Sequence, residues 1–177
     1  VIPWAGLPDT NRDLLAAYPH LAVHNLHHNA AMTAEHAVML LLAAARFLLP
    51  MDRGLRAHDW TMRYAPSLSV HLAGKCALIL GFGQVGRRVA RVCRALDMEV
   101  LGVRRRAQAE LEHPVDAEIH APHDLDKILP RAQALIIKLP LTAETKGLIG
   151  ESQLALMPPG GLLVNVGRGL IVDQAAL

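Results

Sequence analysis

The most constraining feature of the sequence is a glycine-rich turn between an apolar run and a helical pattern. Cys76 to Leu80 (CALIL) is a short continuous apolar run, typical of a strand buried on both faces. It leads directly into GFGQVG, which begins at Gly81, and the residues that follow repeat apolar positions at helical spacing. A strand, a GxGxxG turn and a helix in this order predict a dinucleotide-binding turn.

Each glycine of the turn has its own physical reason. Gly81 permits the tight turn, Gly83 lets the backbone approach a pyrophosphate, and Gly86 allows the helix to pack against the strand. Gln84 and Val85 are the first residues of the helix. The start of this helix offers backbone N–H groups and the positive end of its dipole to phosphates. The alternative interpretation is a glycine-rich turn between a strand and a helix that binds no ligand.

The residue after the second strand bears on the choice between NAD and NADP. In such folds a residue about 20 positions beyond the glycines contacts the adenosine ribose, and an acidic side chain there favours NAD. This sequence has Arg104, followed by Arg105 and Arg106. A guanidinium cannot accept hydrogen bonds from ribose hydroxyls but can pair bidentately with a 2′-phosphate. The sequence therefore favours NADP over NAD, the alternative being a solvated basic loop that tolerates either cofactor.

The order of apolar runs and helical patterns predicts an α/β fold, a Rossmann-type doubly wound parallel sheet. A hydrophobic fraction of 52% with only 3% aromatic residues predicts a core of small aliphatic side chains, which suits close packing of helices on a sheet. The predicted strands are Leu21–Leu26, Cys76–Leu80, Glu99–Val103, Ala134–Leu139 and Leu162–Val166, and a long helix is predicted to begin at Thr33.

Charge and composition argue against several other classes of protein. A net charge of +2 without a long Lys/Arg run does not indicate nucleic-acid binding. The most apolar run, Ala37 to Pro50, contains Arg46 and is shorter than the roughly 20 residues that a bilayer requires. Two cysteines favour a reducing, cytoplasmic location over a disulfide framework. The histidines lack the helical spacing of a metal site, so no metal is expected; His27 or His28 could instead line an active-site cleft.

The last forty residues contain three linked motifs. LPLT begins at Leu139, TKGLI at Thr145 and NVGRGLIVD at Asn165. Upstream, WAG begins at Trp4 and NLHHNAAMTAEHAVMLLLAAAR begins at Asn25. Together these motifs resemble the D-isomer-specific 2-hydroxyacid dehydrogenases over nearly the whole chain. The resemblance implies hydride transfer between a nicotinamide cofactor and a small 2-hydroxy or 2-oxo acid, such as glyoxylate or hydroxypyruvate. The alternatives are a formate dehydrogenase-like enzyme and a non-catalytic, dinucleotide-sensing corepressor-like protein.

The resemblance also implies roles for particular residues. Arg168 matches the catalytic arginine of the family, and a guanidinium there can polarise a carbonyl and hold a carboxylate. The alternative is a surface arginine that follows a strand. The resemblance further places the cofactor against Gln84, Val85, Leu139, Pro140, Val166 and Gly167, the substrate carboxylate against Ala5, Gly6 and Leu7, and Thr33 in the cleft between two domains.

The same resemblance implies a division of the chain. Residues 1–32 are expected to be the C-terminal remnant of a flavodoxin-like substrate domain, and residues 33–177 an NAD(P)-binding Rossmann domain that is incomplete at its C-terminus. The family's catalytic histidine and its supporting glutamate follow the arginine motif at a distance that lies beyond Leu177. The 177 residues alone are therefore expected not to catalyse turnover, and the intact protein is expected to be a homodimer.

Overall fold

A five-stranded, all-parallel sheet forms the centre of the molecule. The computed structural model describes residues 15–22, 24, 26, 28–64, 68–106 and 115–177. The strands are β1 (Cys76–Leu80), β2 (Glu99–Val103), β3 (Glu118–His120), β4 (Ala132–Ile137) and β5 (Leu162–Asn165). Their order across the sheet is β3-β2-β1-β4-β5. This is the strand order of a Rossmann-type sheet, as the sequence predicted.

Helices cover both faces of the sheet. They are α1 (Ala30–Ala45), α2 (Leu48–Arg56), α3 (Gln84–Ala95), α4 (Leu125–Ile128) and α5 (Glu151–Leu156). Short 3₁₀ helices occupy Thr61–Arg63, Pro122–Asp124, Leu129–Arg131, Gly169–Ile171 and Gln174–Ala176. The buried face of α1 consists almost entirely of alanine, which brings this helix close to α3 and β5. Residues of α4 and the 3₁₀ turns pack on the opposite face.

Alternation along the strands divides the core into two layers. In β4, Ala134 and Ile136 face the layer formed with α1 and α3, whereas Leu135 and Ile137 face the other layer. All four side chains are fully buried. A strand buried on both faces reads as a continuous apolar run, because neither set of alternating positions meets water. This is why CALIL and ALII in the sequence show no polar alternation.

Several details differ from the sequence prediction. The expected strand Leu21–Leu26 is wrong, because its described residues are exposed and form no ladder with the sheet. Helix α1 begins at Ala30, with Asn29 as its N-cap, instead of at Thr33; the Thr33 hydroxyl donates to the Asn29 carbonyl oxygen at 2.9 Å within the first turn. The edge strand β3 was not predicted, since three residues carry too little periodicity.

Within the described residues, no single helix is both long and apolar enough to cross a membrane. Only α1 and α2 taken together satisfy the requirements of length and composition, and these two helices are bent by 65° at the break between them.

Candidate functional site

The candidate site lies at the carboxyl edge of the sheet, where the strand order reverses between β1 and β4. Leu80 pairs in register with Val103 on one side and with Ile137 on the other. The residues that follow these three strand ends therefore begin at one edge: Gly81, Arg104 and Lys138. In open α/β sheets this crevice is where ligands bind.

The glycine-rich turn is hydrogen-bonded to the end of β2 and lies close to the residue that follows β4. The N–H groups of Gly81 and Phe82 both donate to the Val103 carbonyl oxygen, each at 3.0 Å. Gly81 has φ +100°, a conformation that a residue with a side chain rarely adopts. A Cβ atom on Gly81 would also collide with the Lys138 carbonyl oxygen. Gly81 is therefore required by the backbone of the turn itself.

The other two glycines differ in what surrounds them. A Cβ atom on Gly86 would collide with the Gly81 carbonyl oxygen and lie 3.1 Å from a methyl group of Ile79. A Cβ atom on Gly83 would meet no heavy atom within 4 Å. Gly83 is the N-cap of α3, and its carbonyl oxygen accepts the first helical bond, from the Arg87 N–H at 2.9 Å. The open space at Gly83 lies beside the first N–H groups of α3, where an approaching phosphate would need it.

Phe82 anchors the turn, a role that the sequence analysis did not assign. Its side chain is buried, only 2% exposed, and packs on Gly102 of β2. A Cβ atom on Gly102 would lie 2.7 Å from Cγ of Phe82, so only glycine leaves room for the ring. The signal available in the sequence was a large apolar residue inside an otherwise small and polar turn.

Arg104 and Arg105 directly follow β2 at the edge that carries the glycine-rich turn. The Arg104 N–H donates to the His120 carbonyl oxygen at 3.2 Å, which extends the pairing of β2 with β3. The Arg104 Nε donates to the Arg106 carbonyl oxygen at 2.6 Å, so the side chain is folded against its own loop. Arg105 is exposed. Arg104 and Arg105 thus lie one and two residues beyond Val103, whose carbonyl group holds the turn.

On the other side of the crevice, the segments that follow β4 and β5 meet. A Cβ atom on Gly167 would lie 2.8 Å from the Leu139 carbonyl oxygen, so the two backbones are in direct contact. The Asn165 side chain accepts from the Gly167 N–H at 2.9 Å and donates to the Arg168 carbonyl oxygen at 3.0 Å. These two bonds fix the turn that carries Arg168, and the sequence analysis assigned Asn165 no such role.

Arg168 itself is exposed, and its backbone is extended. One of its guanidinium nitrogens donates to the Gly167 carbonyl oxygen at 3.1 Å. Burial lowers the pKa of the neighbouring Lys138, and the nearby Arg168 guanidinium lowers it further. Lys138 is therefore a second cation at this edge that the sequence analysis missed.

The remaining predicted residues lie beside these segments or outside the described residues. Pro140 is exposed; its carbonyl oxygen accepts from the Thr145 hydroxyl at 2.7 Å. Val166 pairs with the end of β4 through its N–H, which donates to the Ile137 carbonyl oxygen at 3.0 Å. Ala5, Gly6, Leu7 and His27 lie outside the described residues, and His28 is exposed just before α1. Among the residues that the structure describes, no group of three His, Cys, Asp or Glu side chains is arranged to hold a metal ion.

Comparison with known proteins identifies the family. Residues 38–177 match the family model described as "D-isomer specific 2-hydroxyacid dehydrogenase, NAD binding domain". A glyoxylate reductase of Aeropyrum pernix is 42% identical over 150 residues, which cover 82% of this chain and 44% of the relative. A D-3-phosphoglycerate dehydrogenase of Archaeoglobus fulgidus is 36% identical over 179 residues, which cover 100% of this chain and 33% of the relative.

A solved structure gives the same result. The NAD-dependent formate dehydrogenase of Staphylococcus aureus, in complex with NAD, superimposes with a TM-score of 0.76 at 28% identity, over 93% of this chain and 48% of that one. The chain spans less than half the length of each of these proteins. With a family model matched over residues 38–177, the chain belongs to the D-isomer specific 2-hydroxyacid dehydrogenases.

Proposed function

We propose that this chain is the cofactor-binding portion of an enzyme that transfers a hydride between a nicotinamide cofactor and a small 2-oxo acid such as glyoxylate or hydroxypyruvate. The observation that carries the proposal is the contrast among the three glycines. Gly81 and Gly86 are required by packing, whereas Gly83 opens onto empty space at the start of α3. A turn with no ligand would need only the first two, so the residues fit a dinucleotide phosphate.

Arg168 would act on the substrate at the same edge. A nicotinamide cofactor, when bound, would supply the hydride to the carbonyl carbon of a 2-oxo acid or accept it from the hydroxyl-bearing carbon of a 2-hydroxy acid. The guanidinium, exposed and held by the Asn165 turn, can polarise the carbonyl oxygen and hold the carboxylate of a 2-oxo acid. We infer that Gln84 and Val85 lie against the pyrophosphate, and that Leu139, Pro140, Val166 and Gly167 line the remainder of the cofactor site.

Arg104 favours NADP in this proposal. A charge-assisted bond from a guanidinium to a phosphate contributes about 1.5–3 kcal/mol, which is a factor of roughly 10 to 150 in affinity. Arg104→Asp should lower the affinity for NADPH by that factor and leave the affinity for NADH equal or higher. Fluorescence titration of the chain with each reduced cofactor measures this. A preference for NADH in the unmodified chain that Arg104→Asp leaves unchanged would refute the preference.

Catalysis by this chain alone is not part of the proposal. We propose that residues 1–32 belong to a substrate domain, because the D-3-phosphoglycerate dehydrogenase matches the whole chain whereas the family model begins at residue 38. Residues 33–177 are then the nucleotide-binding part. The purified chain should bind the reduced cofactor without oxidising it in the presence of glyoxylate, and turnover at ordinary enzymatic rates would contradict this division.

Formate oxidation is a second candidate, favoured by the structural likeness to the Staphylococcus aureus formate dehydrogenase. Formate has no second carbon, whereas glyoxylate and hydroxypyruvate carry a carbonyl next to the carboxylate. An assay of the longest protein that contains this chain, with formate, glyoxylate and hydroxypyruvate and either cofactor, separates the two. A corepressor-like protein would bind the cofactor and turn over none of the three.

A homodimer is part of the proposed assembly. Helix α1 buries its alanine face, while its opposite face exposes Met32 (72% exposed) and Met39 (52% exposed). Leu48 and Leu49, just beyond the break, are exposed as well. Clustered exposed apolar side chains mark interaction surfaces, here on α1 and at the start of α2. We propose that a second copy of the chain packs on this surface. Light scattering gives the mass, and a monomer at micromolar concentration would contradict the assembly.

Buried, unpaired Cys76 and Cys93 support a reducing, cytoplasmic location.

A further inference from the structure

The side chain of His120, at the end of the edge strand β3, is largely buried beside a carboxylate. Only 17% of the side chain is exposed. Within the part of the chain that the structure describes, its Nε2 is the one buried side-chain nitrogen or oxygen that has no aligned hydrogen-bond partner. The Glu118 Oε1 atom lies 2.9 Å from this nitrogen, two residues earlier on the same strand and therefore on the same side of the sheet. A nitrogen that water does not reach thus has a carboxylate within hydrogen-bond distance.

Other charged groups gather around this pair. A guanidinium nitrogen of Arg131 contacts the other carboxylate oxygen of Glu118 at 3.0 Å, which ties β3 to the segment before β4. The pKa of the Asp124 carboxyl is lowered, chiefly by the hydrogen bond from Lys127 and to a smaller degree by His120. The remaining titratable groups of the cluster are Glu99 of β2, the Cys76 thiol of β1 and His123 beside Asp124. A charge on the His120 ring would therefore lie close to two carboxylates.

Protonation of His120 changes the contact with Glu118. A charged imidazole ring carries a proton on both nitrogens, whereas a neutral ring carries a proton on only one of them. The charged ring therefore always presents an N–H group to the carboxylate. The neutral ring either donates more weakly or turns a lone pair toward the carboxylate. Because histidine changes its charge between pH 5 and pH 8, the contact between His120 and Glu118 tightens as the pH falls through this range.

The main chain connects His120 to the loop that follows β2. The His120 carbonyl oxygen accepts from the Arg104 N–H at 3.2 Å, and His120 pairs in register with Val103. Strand β3 has only three residues and pairs on one side only, with β2. Side-chain contacts of Glu118 and His120 therefore contribute much of what holds β3 in place. A tighter contact between them fixes the carbonyl group that holds Arg104.

We propose that His120 is a positioning residue for Arg104, so that protonation of its ring strengthens the preference of the chain for NADP over NAD. This rests on the proposed function, which assigns Arg104 to the 2′-phosphate. When the ring is charged, the backbone of Arg104 is held in one place, and its guanidinium loses less freedom on pairing with the phosphate. When the ring is neutral, part of this advantage is lost. NAD has no 2′-phosphate, so its affinity should not follow the charge of His120.

The coupling between the two residues is measured first without cofactor. In NMR spectra recorded from pH 5.5 to pH 8, the amide resonance of Arg104 should move with the same midpoint as the ring protons of His120. His120→Gln should abolish this movement, and Glu118→Gln should weaken it because the ring loses its charged acceptor. His123→Gln is the matched control, since His123 is exposed and also lies beside a carboxylate; it should leave the movement in place.

The effect on the cofactor is measured by calorimetric titration with NADP⁺ and NAD⁺ at pH 5.5 and pH 8. The quantity compared is the ratio of the two affinities. The 2′-phosphate itself loses a proton near about pH 6, so the ratio for the unmodified chain is compared with the ratio for His120→Gln at each pH. From pH 8 to pH 5.5, the unmodified chain should gain about threefold in this ratio relative to His120→Gln, since a charged donor binds a carboxylate more strongly than a neutral one.

Three outcomes would overturn the inference. The first is a His120 ring that does not titrate between pH 5.5 and pH 8, or an Arg104 amide that does not follow it; this measurement on the unmodified chain decides the coupling even where a variant unfolds. The second is a folded His120→Gln variant whose affinity ratio changes with pH as in the unmodified chain. The third is a His123→Gln variant that loses the movement as His120→Gln does.

Failure of the proposed function is recognised separately. If the Arg104 amide follows His120 but the chain prefers neither cofactor at any pH, the assignment of Arg104 to the 2′-phosphate is wrong, and the effect of His120 on cofactor preference is overturned with it. A chain that binds neither cofactor would contradict the proposed function as a whole.

Discussion

Gly83→Ala and Gly86→Ala each add one methyl group to the same turn. We expect opposite effects on the stability of the chain and on its affinity for the cofactor. At Gly86 the new Cβ atom collides with the Gly81 carbonyl oxygen and crowds Ile79, so α3 must move away from β1. Overpacking of this kind costs about 1–3 kcal/mol, and in a domain of this size each kcal/mol lowers Tm by about 2–4 °C. Gly86→Ala should therefore lower Tm by roughly 2–12 °C.

At Gly83 the new Cβ atom enters empty space, and φ −99° is accessible to alanine. The loss of glycine from the N-cap costs a few tenths of a kcal/mol to about 1 kcal/mol, and the stiffer unfolded chain offsets about 0.4–1 kcal/mol of that cost. Gly83→Ala should therefore keep Tm within about 2 °C of the unmodified chain. The added methyl group occupies the approach of a phosphate, so we expect cofactor affinity to fall at least tenfold.

Thermal unfolding followed by circular dichroism and fluorescence titration with NADPH and NADH measure both effects on the same samples. The reasoning is refuted if Gly83→Ala loses as much stability as Gly86→Ala, or if Gly83→Ala binds both reduced cofactors as tightly as the unmodified chain does. In the first case the open space at Gly83 would be filled in solution, and in the second the phosphate would lie elsewhere.

Two further predictions concern the core and the Arg168 turn. Burial raises the pKa of the Cys93 thiol from 9.0 to about 12. At pH 8 a thiol reagent should therefore modify Cys93 only as fast as the chain unfolds. Above pH 9 the thiol ionises in the unfolded chain but not in the folded one, so the free energy of unfolding should fall as the pH rises beyond 9. Fast labelling of the native chain at Cys93, followed by mass spectrometry, would contradict this. Asn165→Leu leaves the Gly167 N–H without its acceptor and should destabilise the chain by about 1–3 kcal/mol in urea unfolding, whereas an unchanged midpoint would show that the turn holds without that side chain.

Local pattern predicted much of the fold because the strands are buried on both faces. CALIL and EVLGV matched β1 and β2 residue for residue, since a short run rich in aliphatic residues that lies between helical patterns has few other interpretations. Strand β4 (Ala132–Ile137) was predicted two residues late, as Ala134–Leu139, because Ala132 and Gln133 lack the large aliphatic side chains that mark a buried strand. The run Leu21–Leu26 has strand-like composition, but its described residues have no neighbouring strand, and such pairing is not visible in a local pattern.

The candidate site was predictable where a motif has a fixed geometry and not where tertiary contact decides. The fingerprint located Gly81, Gly83 and Gly86, and the structure shows the tight turn at Gly81 and the close packing at Gly86. Gly83 has open space beside it, and its contact with a pyrophosphate stays a prediction. The closeness of Lys138 to Arg168 depends on the adjacency of β4 and β5, thirty residues apart in the sequence. Spacing along the chain does not encode that distance, so the second cation emerges only from the folded sheet.

The two bonds to the Val103 carbonyl oxygen have a consequence for redesign of this scaffold. Because Gly81 and Phe82 are held by the main chain of β2, the glycine-rich turn takes its position from a carbonyl oxygen that every amino acid possesses. On the proposed function, exchange of the Arg104 and Arg105 side chains should leave the glycine-rich turn in place, so cofactor preference should change while the turn and its supporting strand stay as they are.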